Sequence, residues 1–375
     1  MLALELGRRL RFEREELEAL EQALGRPAGE TDLYVPTMAA HPGDLPAAPS
    51  TAGGRLAAVL SVARAFAERV ESLPLHPASF EQILDEMSWL AQEGLYDSAA
   101  VAVLGGLVSI RMEDLLSTVH RLPVFPGVAL RALQIAADED ASLRQIESLT
   151  SSDQVLAGRV IEAANSSLLS PAQPIGSIRQ AITYIGLEGT RRVIMTQVFR
   201  PLFASARFQR LWKHSLEAAV KAERLAVISG HVPPSEAFLA GLVHDIGRLA
   251  LERLAGAEAE GYARLRDRGA DAVFAELLSC GFDHGTGGAE ILRSWSFPAR
   301  LVEGVQFHHR PEASGELTAC LLYGAECWSA GDRDEDLPSP ARLHRALKRL
   351  GISAESLTHA AEPENWLLAC MLEAA

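Results

Sequence analysis

The sequence predicts an all-α protein. Apolar residues recur at helix-compatible spacing along most of the chain, and runs with the alternating pattern of a β-strand are few. Short polar or proline-containing breaks separate one helical segment from the next. The 375 residues, 48% of them hydrophobic, are enough for about two domains with hydrophobic cores. We therefore expect a globular helical fold.

Charge and hydropathy narrow the choice of partners. The chain has 35 basic and 49 acidic residues, a formal net charge of −14. Its overall field therefore opposes binding to nucleic-acid phosphates or anionic lipid, unless one surface is locally basic. No apolar run approaches the roughly 20 residues of a membrane helix, and the opening residues mix charges throughout, unlike a signal peptide. We expect a cytoplasmic protein that binds neither nucleic acid nor membranes.

The N-terminal part predicts three segments. Residues 1–24 carry leucines at approximate helical spacing among many charges, which predicts an amphipathic helix that packs on its own domain or docks on a partner. Residues 25–54 hold five prolines and few large apolar side chains, which predicts a linker. Residues 55–114 are again helical in pattern, and Ser79, placed before Gln82, predicts a capping box at a helix start.

The C-terminal part continues helix after helix. Within residues 115–328, Asp153 is the predicted N-cap of a helix over QVLAGRVIEAA, and Asn165 is expected in the turn that ends this helix. Residues 329–375 predict a helical C-terminal extension with a short basic run. This run is expected to be a solvated helix face or to meet acidic residues of the same chain such as those of DEDAS, residues 138–142, with phosphate binding as a further alternative. The basic residues are Arg342, Arg345, Lys348 and Arg349.

The cysteines do not predict a disulfide framework. They include no CxxC pair, and their density is low, so we expect them to be reduced and mostly buried. The four residues are Cys280, Cys320, Cys327 and Cys370.

Histidines recur beside carboxylates in the second half of the chain. They stand in LWKHSLEAA, LVHDIGR, GFDHGTGGAEIL and VQFHHRPE. Imidazole and carboxylate suit divalent ions such as Mn, Fe or Zn, and sites of this kind can activate water for attack on phosphorus. Consecutive helical residues diverge by about 100°, so spacing alone does not bring His244 and Asp245 to one ion. These two side chains could instead hydrogen-bond to each other or to neighbouring helices in a packed core, and His308 or His309 could cap a helix end.

Seven ordered blocks resemble the HDOD domain, the HD-related output domain of bacterial signalling proteins, which is itself similar to the HD and HD-GYP phosphohydrolases. The blocks are LPVFPGVALRALQIAADEDASL, RVIEAANSSLL, SIRQAITYIGLEGTRRVI, LWKHSLEAA, AFLAGLVHDIGRLAL, FDHGTGGAEILRSWSFP and VQFHHRP. The resemblance implies a helical HDOD domain over residues 115–328.

The resemblance also implies a metal site. By position it assigns His214, His244, Asp245 and Glu326 to a first ion, and His284, His308 and His309 to the positions that hold a second metal in HD-GYP enzymes. Glu326 stands where the family has aspartate. In an enzyme, Asp245 and Arg248 would be the catalytic residues, with Arg248 in place of the phosphate-contacting lysine of the family.

Two features weigh against an enzyme. A GYP-type substrate loop is missing, since HHRPE leads directly into ASGELTACLLYGAECW. Arg210 lies one helical turn before His214, where a cation that points inward would disfavour another metal.

The family is regarded as regulatory, so the resemblance implies a noncatalytic signalling module that binds a protein partner. The N-terminal residues would add a second docking or dimerisation surface, so a homodimer is expected as one form. A metal-dependent phosphohydrolase acting on a nucleotide or phosphomonoester is the alternative.

Overall fold

The described part of the chain is helical. The computed structural model of the protein describes residues 52–72, 77–105, 127–167, 169–254, 272–280, 282–329 and 339–353, with single positions between them at 117, 119, 262, 263 and 266. The regular elements of these residues are all helices, which confirms the all-α prediction. In the same ranges, each helix is too short or too polar to span a membrane. The predicted helix over residues 1–24 and Cys370 lie outside the described residues.

The helices are numbered here in chain order. They are α1 (Ala52–Ser72), α2 (Pro77–Gln92), α3 (Gly127–Ala137), α4 (Leu143–Ser152), α5 (Gln154–Ala164), α6 (Ile178–Phe199), α7 (Gln209–Ser229), α8 (Pro234–Val243), α9 (Arg248–Leu254), α10 (Ala272–Cys280), α11 (His284–Ser294), α12 (Ala299–Gln306), α13 (Leu317–Ser329) and α14 (Pro340–Arg349). Short 3₁₀ turns lie at Arg200–Phe203, Ala206–Phe208 and Pro311–Ala313.

The chain divides into two compact units. The first unit combines residues 1–119 with residues 249–286. Within it, α1 contacts α2, and these helices bury Val62, Ile83 and Met87 completely. This apolar burial is what holds the two helices together.

The second unit combines residues 120–248 with residues 287–375. Here α7 packs along α8 and also against α13, while α5 packs against α6. The core of this unit includes Phe199, Trp212 and Phe238, each almost completely buried. The helices α7, α8 and α13 form the part of the unit that carries the candidate site.

Helix ends show which local predictions are correct. Asp153 is the N-cap of α5, since its carboxylate accepts the N–H groups of Val155 (2.7 Å) and Leu156 (3.2 Å). Asn165 is the C-cap of the same helix, and its side chain exchanges two hydrogen bonds with the backbone of Ile175. Both predictions are confirmed, and Asn165 additionally ties down the loop that follows.

The capping box predicted at Ser79 is wrong. α2 already begins at Pro77, so Ser79 lies inside the first turn. Proline suits the first helical position because its fixed φ matches the helix and its missing N–H would have no partner there. α1 begins at Ala52, within the last residues of the segment predicted as a linker over residues 25–54.

The three described cysteines, Cys280, Cys320 and Cys327, form no disulfide bond, and the first two are buried. The absence of a disulfide among these three residues agrees with the expectation that they are reduced. In the C-terminal extension, α14 carries the basic run, and the Nε atom of Arg342 lies 2.8 Å from a carboxylate oxygen of Glu312. Arg342 of the basic run therefore pairs with Glu312, inside the 3₁₀ turn at Pro311–Ala313, rather than with DEDAS.

Candidate metal centre

Side chains from three places in the second unit meet at one point. His214 lies on α7, His244 and Asp245 lie in the turn directly after α8, and Glu326 lies on α13. Three of these side chains are nearly inaccessible to solvent, and that of Glu326 is 21% exposed. The helical packing thus brings the four residues assigned to a first ion into one buried cluster, called here the His214–Glu326 cluster.

A glycine permits α7 and α8 to approach closely enough to form the His214–Glu326 cluster. A Cβ atom on Gly241 would lie 2.5 Å from the Cα of Ala219 and 2.7 Å from its backbone nitrogen, both on α7. No side chain fits at such distances, so only glycine allows this crossing. Gly241 has no sequence signature that predicts this role; the only hint is a glycine one helical turn before His244.

The separations inside the cluster match those of ligands around one ion. His214 Nε2 lies 3.1 Å from His244 Nε2, 3.0 Å from Glu326 Oε1 and 3.4 Å from Asp245 Oδ2. His244 Nε2 lies 3.1 Å from the same Glu326 oxygen and 3.6 Å from Asp245 Oδ1. Ligands about 2.1 Å from a shared ion are about 3.0 Å apart in an octahedron and about 3.4 Å apart in a tetrahedron. The ligand atoms of His214, His244 and Glu326 therefore fit a Mn, Fe or Zn ion in both chemistry and spacing, and the Asp245 carboxylate lies beside them.

Backbone carbonyl groups orient two of the imidazoles. His244 Nδ1 is 2.8 Å from the Gly241 carbonyl oxygen, and His308 Nδ1 is 2.6 Å from that of Val305. A carbonyl oxygen only accepts, so each Nδ1–H donates and each neutral ring keeps its lone pair on Nε2. His244 therefore presents a metal-binding nitrogen to the cluster. A direct His244–Asp245 hydrogen bond is not formed, because 3.6 Å is too long. The alternative of a hydrogen bond to a neighbouring helix is met, since His244 Nε2 lies 3.1 Å from His214 Nε2 on α7.

The cluster holds positive charge where no ion is bound. Burial acts to lower the pKa of His244, but the carboxylates of Asp245 and Glu326 outweigh it and raise that pKa to about 9. Burial acts to raise the pKa of Glu326, yet His214 and His244 hold it well below the usual value. The carboxylates thus favour a cation between them, either a proton on an imidazole or a metal ion in its place.

Two arginines near the cluster behave differently. Arg248 Nε lies 3.0 Å from Asp245 Oδ2, so the residue in the lysine position of the family binds an acid of the cluster. Arg210 is exposed to solvent, so it does not point into the core beside His214. The expected objection to an additional metal from Arg210 therefore does not apply.

The histidines assigned to a second ion lie in both units. His308, in the second unit, has its Nε2 3.9 Å from Asp245 Oδ1 and its ring 5.2 Å from that of His244. His309 follows with its ring 4.1 Å from that of His308. The bond from His308 Nδ1 to Val305 shows that this residue also caps the end of α12, as the alternative prediction had it.

His284 belongs to the first unit. It is fully buried, and its Nδ1 lies 2.6 Å from Glu276 Oε2, which also accepts its backbone N–H at 3.0 Å. This carboxylate fixes the ring in the way that outer-shell acids fix metal-binding histidines. No sequence pattern singles out Glu276. A second metal at His284, His308 and His309 stays a prediction.

Comparison with known proteins identifies the family. A sequence model described as the HDOD domain matches residues 122–311, half of the chain.

The chain belongs to the HDOD domain family. The match lies inside the segment predicted as the domain, residues 115–328, and contains His214, His244, Asp245, Arg248, His284, His308 and His309. Glu326, on α13, follows the matched HDOD residues.

Solved structures agree with this assignment. An HDOD domain protein of unknown function from Geobacter sulfurreducens is 28% identical, with a TM-score of 0.54 over 69% of this chain and 93% of that chain. A protein from Shewanella amazonensis SB2B, described as a candidate phosphohydrolase, is 25% identical, with a TM-score of 0.56 over 70% of this chain and 98% of its own.

Among curated proteins, ribonuclease Y of Syntrophotalea carbinolica is 23% identical over 218 residues, which cover 57% of this HDOD chain and 37% of the enzyme. The chain thus aligns with little more than a third of the length of that relative.

Proposed function

We propose that this HDOD protein is a noncatalytic signalling module that binds a protein partner and holds one divalent metal ion in the His214–Glu326 cluster. The observation that supports it best is the ion pair between Arg248 and Asp245 Oδ2. The guanidinium that would have to contact a substrate phosphate instead neutralises a proposed metal ligand. Catalytic metal sites keep an open position for water or substrate, whereas three of the four side chains of this cluster are buried and Glu326 alone of them is partly exposed.

Exposed apolar side chains support the proposal that the protein binds a partner. Leu143, Val155 and Tyr184 are 47%, 68% and 47% exposed and lie on α4, α5 and α6, which contact one another. Large apolar side chains left in solvent on neighbouring helices are suited to protein contacts. A second copy of the chain is one such partner, and a different signalling protein is the other.

A metal-dependent phosphohydrolase is the second candidate. It is favoured by the ligand-like spacing of the cluster and by the similarity to a ribonuclease Y. A bound divalent ion would supply Lewis acidity toward a phosphoryl oxygen. Of the chain itself, Asp245 would help to hold that ion, and Arg248 would have to leave Asp245 to steady the phosphate.

One set of purified full-length proteins tests both candidates. With Mn²⁺ added, we expect neither wild type nor Asp245→Asn to hydrolyse p-nitrophenyl phosphate or bis(p-nitrophenyl) phosphate faster than a blank without protein. Wild type is also immobilised and exposed to an extract of cells in which the protein occurs naturally. We expect it to retain one protein in stoichiometric amount. Leu143→Ser/Val155→Ser/Tyr184→Ser should lose that protein, whereas the surface control Arg131→Gln should retain it. Hydrolysis by wild type that is absent from Asp245→Asn would establish the phosphohydrolase instead. A wild type that retains no protein would contradict the proposed partner binding.

A further inference from the structure

A cavity of about 500 Å³ lies in the second unit between the 3₁₀ turn at Pro311–Ala313 and α14, with α13 as its floor. None of the residues that line it belongs to the His214–Glu326 cluster. The wall formed by α14 also lies beyond the residues matched by the HDOD family, 122–311. Its volume is in the range of sites that bind small molecules.

Cations dominate the lining of this cavity. Four basic side chains of α14 face it against one acid, Glu312, and α14 itself contains no acidic residue. The basic residues are Arg342, Arg345, Lys348 and Arg349. In a chain with a net charge of −14, such a concentration of positive charge makes this a local site for an anion.

Two of the cations are used to build the walls. Arg342 Nε lies 2.8 Å from Glu312 Oε1, which joins α14 to the 3₁₀ turn and neutralises the acid. Arg349 donates to backbone carbonyl oxygens, and these bonds close the other end. The acceptors are Pro311 (2.5 Å), Ser314 (2.9 Å) and Gly315 (3.1 Å).

The other two cations are available to a ligand. Arg345 and Lys348 line the cavity and are exposed, and neither has an ion-pair partner in the part of the chain that the structure describes. Cys320 and Ala346 also line the cavity and give it an apolar floor. A ligand that fits has a phosphate for the cations and an organic body for the floor.

We propose that this cavity binds a small organic phosphate, with its phosphate group held by Arg345 and Lys348 and its body against Cys320 and Ala346. Arg342 and Arg349 act as positioning residues that keep α14 against the 3₁₀ turn. The site goes beyond the proposed function, since it makes an HDOD module responsive to a metabolite through a surface outside the metal centre.

Isothermal titration calorimetry of the full chain at low salt tests the proposal, with ADP, glucose 6-phosphate and inorganic phosphate as probes. At least one organic phosphate should bind, and Arg345→Gln/Lys348→Gln should weaken it by about tenfold or more, because two charge-assisted contacts are lost. The control Arg131→Gln/Arg144→Gln makes the same change of charge at two other exposed arginines. It should alter affinity by no more than about twofold, the contribution of long-range charge.

Asp245→Asn keeps the result separate from the metal centre, since binding at the cavity should persist in that variant whether or not the proposed function is correct. The proposal is overturned if wild type binds no probe, or if the two double variants behave alike. Equal affinity for inorganic phosphate and for the organic phosphates would also overturn it, because the apolar floor would then contribute nothing to binding.

Discussion

At the scale of single residues, burial sets the ionisation of acids that also have a basic partner. Glu223 lies buried on α7, and its carboxylate accepts a 2.9 Å bond from Arg192 Nε. Burial outweighs the attraction of Arg192 and raises the pKa of Glu223 to about 7, with Glu188 adding to the rise. In the folded protein the carboxyl group thus takes up a proton that it would release in the unfolded chain at the same pH.

A pH-dependent loss of stability follows for Glu223. The pKa of Glu223 is higher in the folded protein than in the unfolded chain, so its protonation on folding stabilises the protein. This stabilisation is complete below about pH 4.5 and is lost as the pH rises through about 7. Relative to Glu223→Gln, wild type should therefore lose about 3 kcal/mol of unfolding free energy over this interval. Urea unfolding midpoints from pH 5 to 8 measure this.

Glu147→Gln is the matched control for Glu223→Gln. The hydrogen bond from Arg179 lowers the pKa of the partly exposed Glu147 carboxyl, so the contribution of Glu147 to stability should stay constant over the same range. Equal pH dependence of wild type and Glu223→Gln would show that Glu223 is ionised throughout.

Residue types predicted the candidate site only in part. Histidine beside aspartate indicated metal chemistry, but the distance in sequence between His214, His244 and Glu326 gives no information on which helix faces meet. Only the resemblance to the HDOD family grouped them. Glu276 could not be predicted, because a carboxylate that orients a buried histidine needs no fixed spacing from it.

At the scale of helices, the site depends on one close crossing. Gly241→Ala places a Cβ 2.5 Å from the backbone of α7, so α7 and α8 must separate. We expect a loss of about 1 to 3 kcal/mol of stability, the usual cost of overpacking. Because His214 and His244 sit on either side of the crossing, metal affinity should fall as well. Thermal unfolding with and without added Mn²⁺ measures both effects.

Gly158→Ala is the control for this crossing. Gly158 is exposed on α5, and nothing lies within 4 Å of a Cβ built on it. Alanine there should stabilise by about 0.5 to 1 kcal/mol, because glycine loses more backbone entropy in a helix. A Gly241→Ala protein as stable as wild type would mean that the helices are not held at this distance.

Helix ends were predictable where one side chain decides them. Asp153 meets the requirement for an N-cap because the short carboxylate reaches the two free N–H groups that follow it. Ser79 failed because Pro77, two residues earlier, is also a good start and begins the helix. Two valid local signals compete here, and the helix begins at the earlier one.

At the scale of the whole molecule, the helical class and the HDOD family were predictable because many ordered sequence blocks agree, whereas the division into two units was not. The first unit joins residues 1–119 to the distant segment 249–286, and the second joins 120–248 to 287–375. Segment pairing of this kind depends on long-range contacts that no local pattern contains.

The central claim is that the second unit assembles a metal centre from His214, His244, Asp245 and Glu326. Elemental analysis of the full-length protein, purified without chelator, tests it most directly, alongside His214→Gln/Asp245→Asn checked for unchanged helical circular dichroism. We predict about one Mn, Fe or Zn ion per wild-type chain and less than about a tenth of that in the double variant. A wild type without stoichiometric metal, or a double variant that keeps it, would contradict the claim.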